Sequence, residues 1–435
     1  MKISTKIMEA FEEYCKKNGI TGKEKEAKLE QLKKFIHKSI YEPGEAIGII
    51  AAQSISEPAT QMSIDGSESV IVKYNDAMRV VGIGNFIDAV VKEGQHVDGW
   101  DVCDVSEYGI FVPSITQKEK VEWKRLLAVS RHTAPEEVVR LTTRSGRSIT
   151  ATDSHSFIAR ENNKIKSISG KNLTKGNRIP VIKFLPENCI DEIKLSSVVG
   201  KYINRKNLPE SLRLDEDFGF FVGAYLAEGN ATKNYVNISN TDELFLSAIR
   251  KFASSFGLTF NEYDNYRGFA KGHDIRVNSA LLSRLIMRSC STGSRNKKVP
   301  QFAFSAREEF VKGLLRGYFE GDGNVSVERA VIRISSDSKE LIDGIALLLN
   351  RFGIFSLKYS NKQNELVISH KYAKKFHEKI GFISIKKSEK LQKLCSMKNK
   401  QDYIDVFSGF GDILLRVSKK LGLPSRYVNS ATKRQ

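Results

Sequence analysis

Two stretches of this sequence repeat one another 94 residues apart, and each ends in a carboxylate. The first is Gly219-Phe-Phe-Val-Gly223-Ala-Tyr-Leu-Ala-Glu228-Gly229, and the second is Gly313-Leu-Leu-Arg-Gly317-Tyr-Phe-Glu-Gly-Asp322-Gly323. Glycines four residues apart share one face of a helix. A face without side chains lets two helix backbones touch. Two such helices packed side by side would bring Glu228 and Asp322 together at their ends. Paired carboxylates in a basic chain suit a divalent metal held against a phosphodiester.

The repeat continues downstream. Ile238-Ser-Asn-Thr-Asp-Glu-Leu with Phe256-Gly-Leu258 resembles Ile334-Ser-Ser-Asp-Ser-Lys-Glu with Phe352-Gly-Ile354, now offset by 96. The slip is a two-residue loop difference. One unit of helix, acid, strands, helix and strand therefore occurs twice, which predicts a pseudo-two-fold pair rather than a solenoid. A lone Gly-acid-Gly could be a solvated helix end. Two copies in phase leave the shared acid unexplained without a cation, because two neighbouring carboxylates repel.

The chain has 435 residues and a formal net charge of +18, which favours a polyanionic partner. The length allows two or three domains. Cys15, Cys103, Cys189, Cys290 and Cys395 are scattered without a C-x-x-C pair, which argues for a reducing compartment and structural roles. With no long apolar run and no signal-type segment, an intracellular, cytoplasmic location with no membrane contact is expected.

Four textures follow one another. Residues 1–40 read as helical and charged. From Tyr41-Glu-Pro-Gly to Met62 the chain is small and apolar. From Ser63 it turns β-rich, with strands expected at Ser69–Tyr74, Arg79–Val91 and Ile179–Phe184 and a hairpin of Val138–Thr143 with Ser148–Thr152 about Gly146. Helices and strands alternate from about 210 to 395. A basic amphipathic helix is expected at Ile413–Leu421.

Ala224-Tyr-Leu-Ala-Glu-Gly and Arg316-Gly-Tyr-Phe-Glu-Gly-Asp-Gly resemble the two signature helices of the LAGLIDADG homing endonucleases. The resemblance implies that Glu228 and Asp322 each bind magnesium, that both strands of a double-stranded DNA site are cut, and that each half presents a sheet to DNA. It also implies an active-site lysine. Lys298 in Asn-Lys-Lys-Val-Pro is the candidate, while Lys358 is read as a solvated surface lysine.

Upstream, Thr152-Asp-Ser-His155 resembles the Thr-x-x-His block of inteins, and Ser63-Ile-Asp-Gly resembles an intein's first block. The implied chemistry is attack of the Ser63 hydroxyl on the Met62 carbonyl, turning an amide into an ester. His155 would protonate the leaving nitrogen and Thr152 would polarise the amide. The closing His-Asn pair is not matched. Tyr427-Val-Asn429-Ser430 lacks the histidine, so the chain reads either as a truncated precursor or as one half of a split one, the second of which implies a C-terminal partner chain.

Residues 42–62 resemble a segment of the largest subunit of cellular DNA-directed RNA polymerases, in the archaeal form where the C-terminal part of that subunit is a separate polypeptide. They depart from the family pattern at Ser56 and Ala59. The expected architecture is multi-domain. A helical host fragment (1–62) precedes the N-terminal part of a mostly-β Hint-type splicing domain (63–205). An α/β (α+β) pseudo-two-fold endonuclease (206–395) follows, then a basic tail (396–435) as an incomplete return towards the splicing domain. After splicing the host would join other polymerase subunits in transcription. The rivals are a catalytically inert intein, and a DNA-binding module that does not cut.

Overall fold

The computed structural model describes residues 5–38, 63–398 and 411–423, save short stretches at 92–93, 98, 117, 136, 162–163, 186–189, 202–207 and 268–269. The expected host motif at 42–62 and Asn429 lie outside the described residues. By its internal contacts the chain divides into Met1–Gln61 and Met62–Gln435. The first unit holds α1 (Thr5–Lys17) and α2 (Gly22–Lys38). Gly19, at φ +66°, lets the chain leave α1, and the Ile20 N–H returns to the Cys15 carbonyl.

The second unit opens β-rich. β1 (Ser69–Tyr74) and β2 (Ala77–Gly82) form a hairpin whose Asn75-Asp76 turn has positive φ at both residues. The chain then enters α3 (Ile83–Val90). The strand expected across Arg79–Val91 therefore ends at Gly82. Ile83, Phe86, Ile87 and Val90 recur at helical spacing, and that period outweighs their apolar, strand-like content. β3 (Gln95–Val97), β4 (Trp100–Asp104), β5 (Phe111–Ile115), β6 (Val121–Arg125) and β7 (Ala128–His132) follow. They make two sheets, ordered β2-β1-β5-β6 and β3-β4-β7. The expected hairpin forms as β8 (Val139–Thr142) and β9 (Ser148–Ala151), with Gly146 at φ +77°. β10 (Ser156–Glu161) pairs with β11 (Lys164–Ser169). Ile179–Phe184 is irregular rather than a strand; among the described residues the nearest pairing is the single bridge of Arg178 to Arg160.

β12 (Glu192–Lys194), α4 (Leu195–Val199) and β13 (Ser211–Arg213) lead into the repeat. Its first copy is α5 (Glu216–Glu228), β14 (Gly229–Ala231), β15 (Val236–Ser239), α6 (Glu243–Ser255), β16 (Phe260–Arg267), β17 (Ala270–Val277) and α7 (Ala280–Cys290). The second is α8 (Glu308–Asp322), β18 (Asn324–Ser326), β19 (Val331–Ser336), α9 (Lys339–Arg351), β20 (Ser356–Ser360) and β21 (Asn364–Ser369), followed by α10 (Ala373–Lys379) and α11 (Ile385–Ser396). The sheets have the same order, β14-β15-β17-β16 and β18-β19-β21-β20. Matching caps begin matching helices: Asp242 accepts from the Leu244 and Phe245 amides of α6, and Ser338 accepts from the Leu341 amide of α9. The basic helix near the end is α12 (Gly411–Lys420).

The axis of the repeat is α5 against α8. A Cβ on Gly219 or Gly223 would fall on the carbonyl oxygen of Phe310 or Leu314, and one on Gly313 or Gly317 on that of Glu216 or Phe220. Only glycine permits this approach. Around the contact lies one apolar core with stacked rings of Phe218, Phe221 and Phe252. Strand faces alternate cleanly, with Val236 and Ile238 inward in β15 and Ile332 and Ile334 inward in β19.

The β-rich part is seamed to the repeat. Ser305 Oγ bonds both the amide and the carbonyl of Met78, and the Gln301 side chain bonds both backbone groups of Val80 at 3.0 and 2.8 Å. β2 is an edge strand, and these two side chains stand where another strand would pair. On the other side the Lys358 amide donates to the Ser145 carbonyl at 2.9 Å, and the Arg147 guanidinium donates to the Ser356 carbonyl at 2.9 Å while lying over the Phe355 ring. Lys358, expected to be solvated, is half-buried here and paired with Asp343. Among the described residues no helix is long and apolar enough to cross a membrane.

Candidate functional site

α5 and α8 end at Glu228 and Asp322, so the glycine contact brings the two acids together. Burial pushes the Asp322 carboxyl up to about 7, and the neighbouring Glu228 charge adds to the shift. Asp322 still opens to solvent on one side, so its environment is a mouth walled by protein rather than a sealed pocket.

Beneath the acids lies Lys297, not Lys298. Lys297 is 7 % exposed and donates to the Tyr225 and Leu226 carbonyls at 2.8 and 3.0 Å, capping the end of α5. Burial lowers its pKa to about 8 against the pull of Asp322, Cys290 and Glu228. Lys298 points outward, with Nζ 3.9 Å from Glu340. Adjacent residues in an extended loop face opposite ways, so a one-residue difference decides which lysine is inside.

The second half has an equivalent. Lys387, on α11, donates to the Phe319 and Glu320 carbonyls that end α8. These are the repeat positions of Tyr225 and Leu226. Burial lowers the Lys387 pKa, opposed by Glu320, Asp322, Asp242 and Glu228. Sequence reasoning missed both Lys297 and Lys387. They are 90 residues apart rather than 94 and arrive on a loop and a helix, so the repeat does not align them.

Two carboxylate donors fit a hard cation that completes its shell from water and phosphate oxygens. Among the described residues there is no cluster of three or more His, Cys, Asp or Glu that could hold a metal alone. Asn237 and Arg333 lie on the strand faces opposite the buried Val236, Ile238, Ile332 and Ile334. Arg276 lies 4.2 Å from the Tyr235 ring centroid and 4.9 Å from that of Tyr263, and Arg333 takes the repeat position of Asn237.

A second constellation lies in the β-rich part. The Ser63 amide donates to Thr152 Oγ1 at 3.1 Å, and the Thr152 amide donates to the Ser63 carbonyl at 2.9 Å. The Asp65 amide donates to the Thr150 carbonyl, so residues 63–65 run along β9. A tight turn returns His155, whose amide donates to the Thr152 carbonyl at 3.1 Å. Burial lowers the His155 pKa, and its Nδ1 is buried without a hydrogen-bond partner among the described residues. Ser63 and Thr152 thus meet across 89 residues of chain.

Residues 215–288 and 309–381 each match the LAGLIDADG-like domain. Over 446 aligned residues the chain is 43% identical to the DNA-directed RNA polymerase subunit Rpo1C of Methanocaldococcus jannaschii, covering 98% of this chain and 52% of that one. The chain therefore spans about half the length of this relative. Among solved structures, the homing endonuclease I-DmoI in complex with DNA and Mn is similar at 13% identity and TM-score 0.32, covering 39% of this chain and 98% of that one. The transcription factor IIB Mvu mini-intein is similar at 23% identity and TM-score 0.27, covering 29% and 71%.

Proposed function

This chain carries two LAGLIDADG-like domains within a sequence that, over nearly its whole length, resembles a subunit of RNA polymerase, and from that premise we propose that it is a polymerase-subunit precursor interrupted by an intein whose inserted domain cuts double-stranded DNA. The observation that carries the nuclease is the acid pair at the ends of two glycine-packed helices, with a lysine under each helix end, Lys297 buried and Lys387 half-buried. Glu228 and Asp322 would hold magnesium. When bound, the ion would offset their repulsion and polarise a phosphoryl oxygen. Lys297, with a pKa of about 8, keeps a neutral fraction at slightly alkaline pH and can take a proton from the attacking water. Lys387 stands at the same place in the other half, one lysine for each DNA strand. The basic and aromatic outward faces of the sheets would track the duplex backbone.

The splicing reading rests on Ser63, Thr152 and His155. The Ser63 hydroxyl forms the ester with the Met62 carbonyl, and Thr152 Oγ1 holds the scissile nitrogen. Because burial lowers its pKa, His155 is neutral in neutral solution, and it serves the leaving nitrogen by a hydrogen bond rather than by releasing a full proton.

The test is a duplex encoding the uninterrupted host sequence across Met62, incubated with the chain and magnesium. Double-strand cutting near that junction is expected, with Glu228→Gln or Asp322→Asn binding the duplex but not cutting it. Cutting that persists in both variants would sink the assignment. Salt-sensitive binding without cutting by the wild-type chain would favour a binding module.

A further inference from the structure

The esterification proposed above needs a base for the Ser63 hydroxyl, and the proposed roles of Thr152 and His155 lie at the scissile nitrogen instead. Thr152 is engaged with the Ser63 backbone on both sides. His155 is placed by its turn and its Nδ1 carries no partner among the described residues.

His132 is placed differently. Its Nε2 is hydrogen-bonded to Ser63 Oγ, across 69 residues of chain. It is the last residue of β7, and the antiparallel register pairs it with Trp100 of β4. The Trp100 ring lies 3.8 Å from the imidazole, centroid to centroid, at an interplanar angle of 39°. Trp100 thus walls one side of the ring and limits its rotation away from the hydroxyl. Both Ser63 and His132 are half-buried.

We propose that His132 is the general base for the acyl shift at Met62–Ser63, a step that rests on the splicing reading. Nε2 takes the proton of the Ser63 hydroxyl while Oγ forms its bond to the Met62 carbonyl carbon. As the carbon–nitrogen bond breaks, the imidazolium passes that proton to the Ser63 nitrogen, which leaves as the α-amine. One proton leaves Oγ and one reaches the nitrogen, so the step needs no co-reactant. Oγ and the nitrogen belong to one residue, so a ring bonded to the first stands beside the second. Neutral His155 donates its hydrogen bond without having to ionise.

The experiment uses the full chain with hydroxylamine, which captures the ester and releases residues 1–62. His132→Ala is expected to slow capture by roughly 10²–10⁴-fold, the usual worth of a positioned base. The same substitution is then made in a Ser63→Cys background. A thiol with an ordinary pKa of about 8.5 ionises without help near that pH, so the loss there should be at least about tenfold smaller. Capture by His132→Ala at the wild-type rate overturns the proposal. So do equal losses in both backgrounds, because they mark a structural role only. If neither the wild-type chain nor Ser63→Cys is captured, the splicing reading fails first and takes this proposal with it.

Discussion

At the scale of single residues, Asp322 makes the sharpest claim. Its carboxyl titrates near 7 in the folded chain against an ordinary 3.8. A pKa raised by folding gives a contribution that is present at low pH and lost as pH rises through the folded value. In chelator, wild-type stability relative to Asp322→Asn should therefore fall from about pH 4 to about pH 7. Glu228→Gln should shallow that fall by removing one of its causes. Denaturant midpoints across this range check it, and a flat difference would refute the coupling. Magnesium-dependent cutting should rise as folded Asp322 ionises, approaching about pH 7. Both acids were legible in the sequence because the repeat fixes glycine and carboxylate at one offset. Lys297, Lys387 and His132 were not. The lysines share only the carbonyls they reach, and His132 meets Ser63 only because strand pairing and loop path bring distant segments together.

At the scale of elements, α5 against α8 decides whether the acids meet. Gly223→Ala would drive a methyl into the Leu314 carbonyl, and the helices must separate. Overpacking of this kind costs about 1–3 kcal/mol. The denaturant midpoint should fall accordingly, and cutting should fall further than stability because the separation moves both carboxylates. Unchanged cutting would mean that the acids act independently. Both helices, strand β1 and the β8–β9 hairpin follow from local pattern, through glycine spacing, β-branched content and turn chemistry. The stretch Arg79–Val91 misled because apolar content was weighed above its period after Gly82. Ile179–Phe184 misled because strand-like composition cannot create a partner strand, and among the described residues none lies beside it beyond one bridge.

At the scale of the whole second unit, the β-rich part and the repeat meet through a seam that composition could not reveal. Met78 and Val80 present backbone groups away from β1, and Ser305 and Gln301 satisfy them. Ser305→Ala strips the buried Met78 backbone of its partner, at a cost of about 1–3 kcal/mol. Its denaturation midpoint should drop by that amount, whereas Gln301→Ala, more exposed, should cost less. Equal and negligible effects would mean that solvent replaces the seam freely. The seam also bears on how such a chain could change by descent. An insertion that only visited its host could be excised from the gene without trace. Here, removing the repeat leaves β2 with an unguarded row of donors and acceptors, ready to pair with another copy. A shortened descendant would have to acquire a charge, a proline or a covering loop at Met78–Val80, or else aggregate once the repeat is lost.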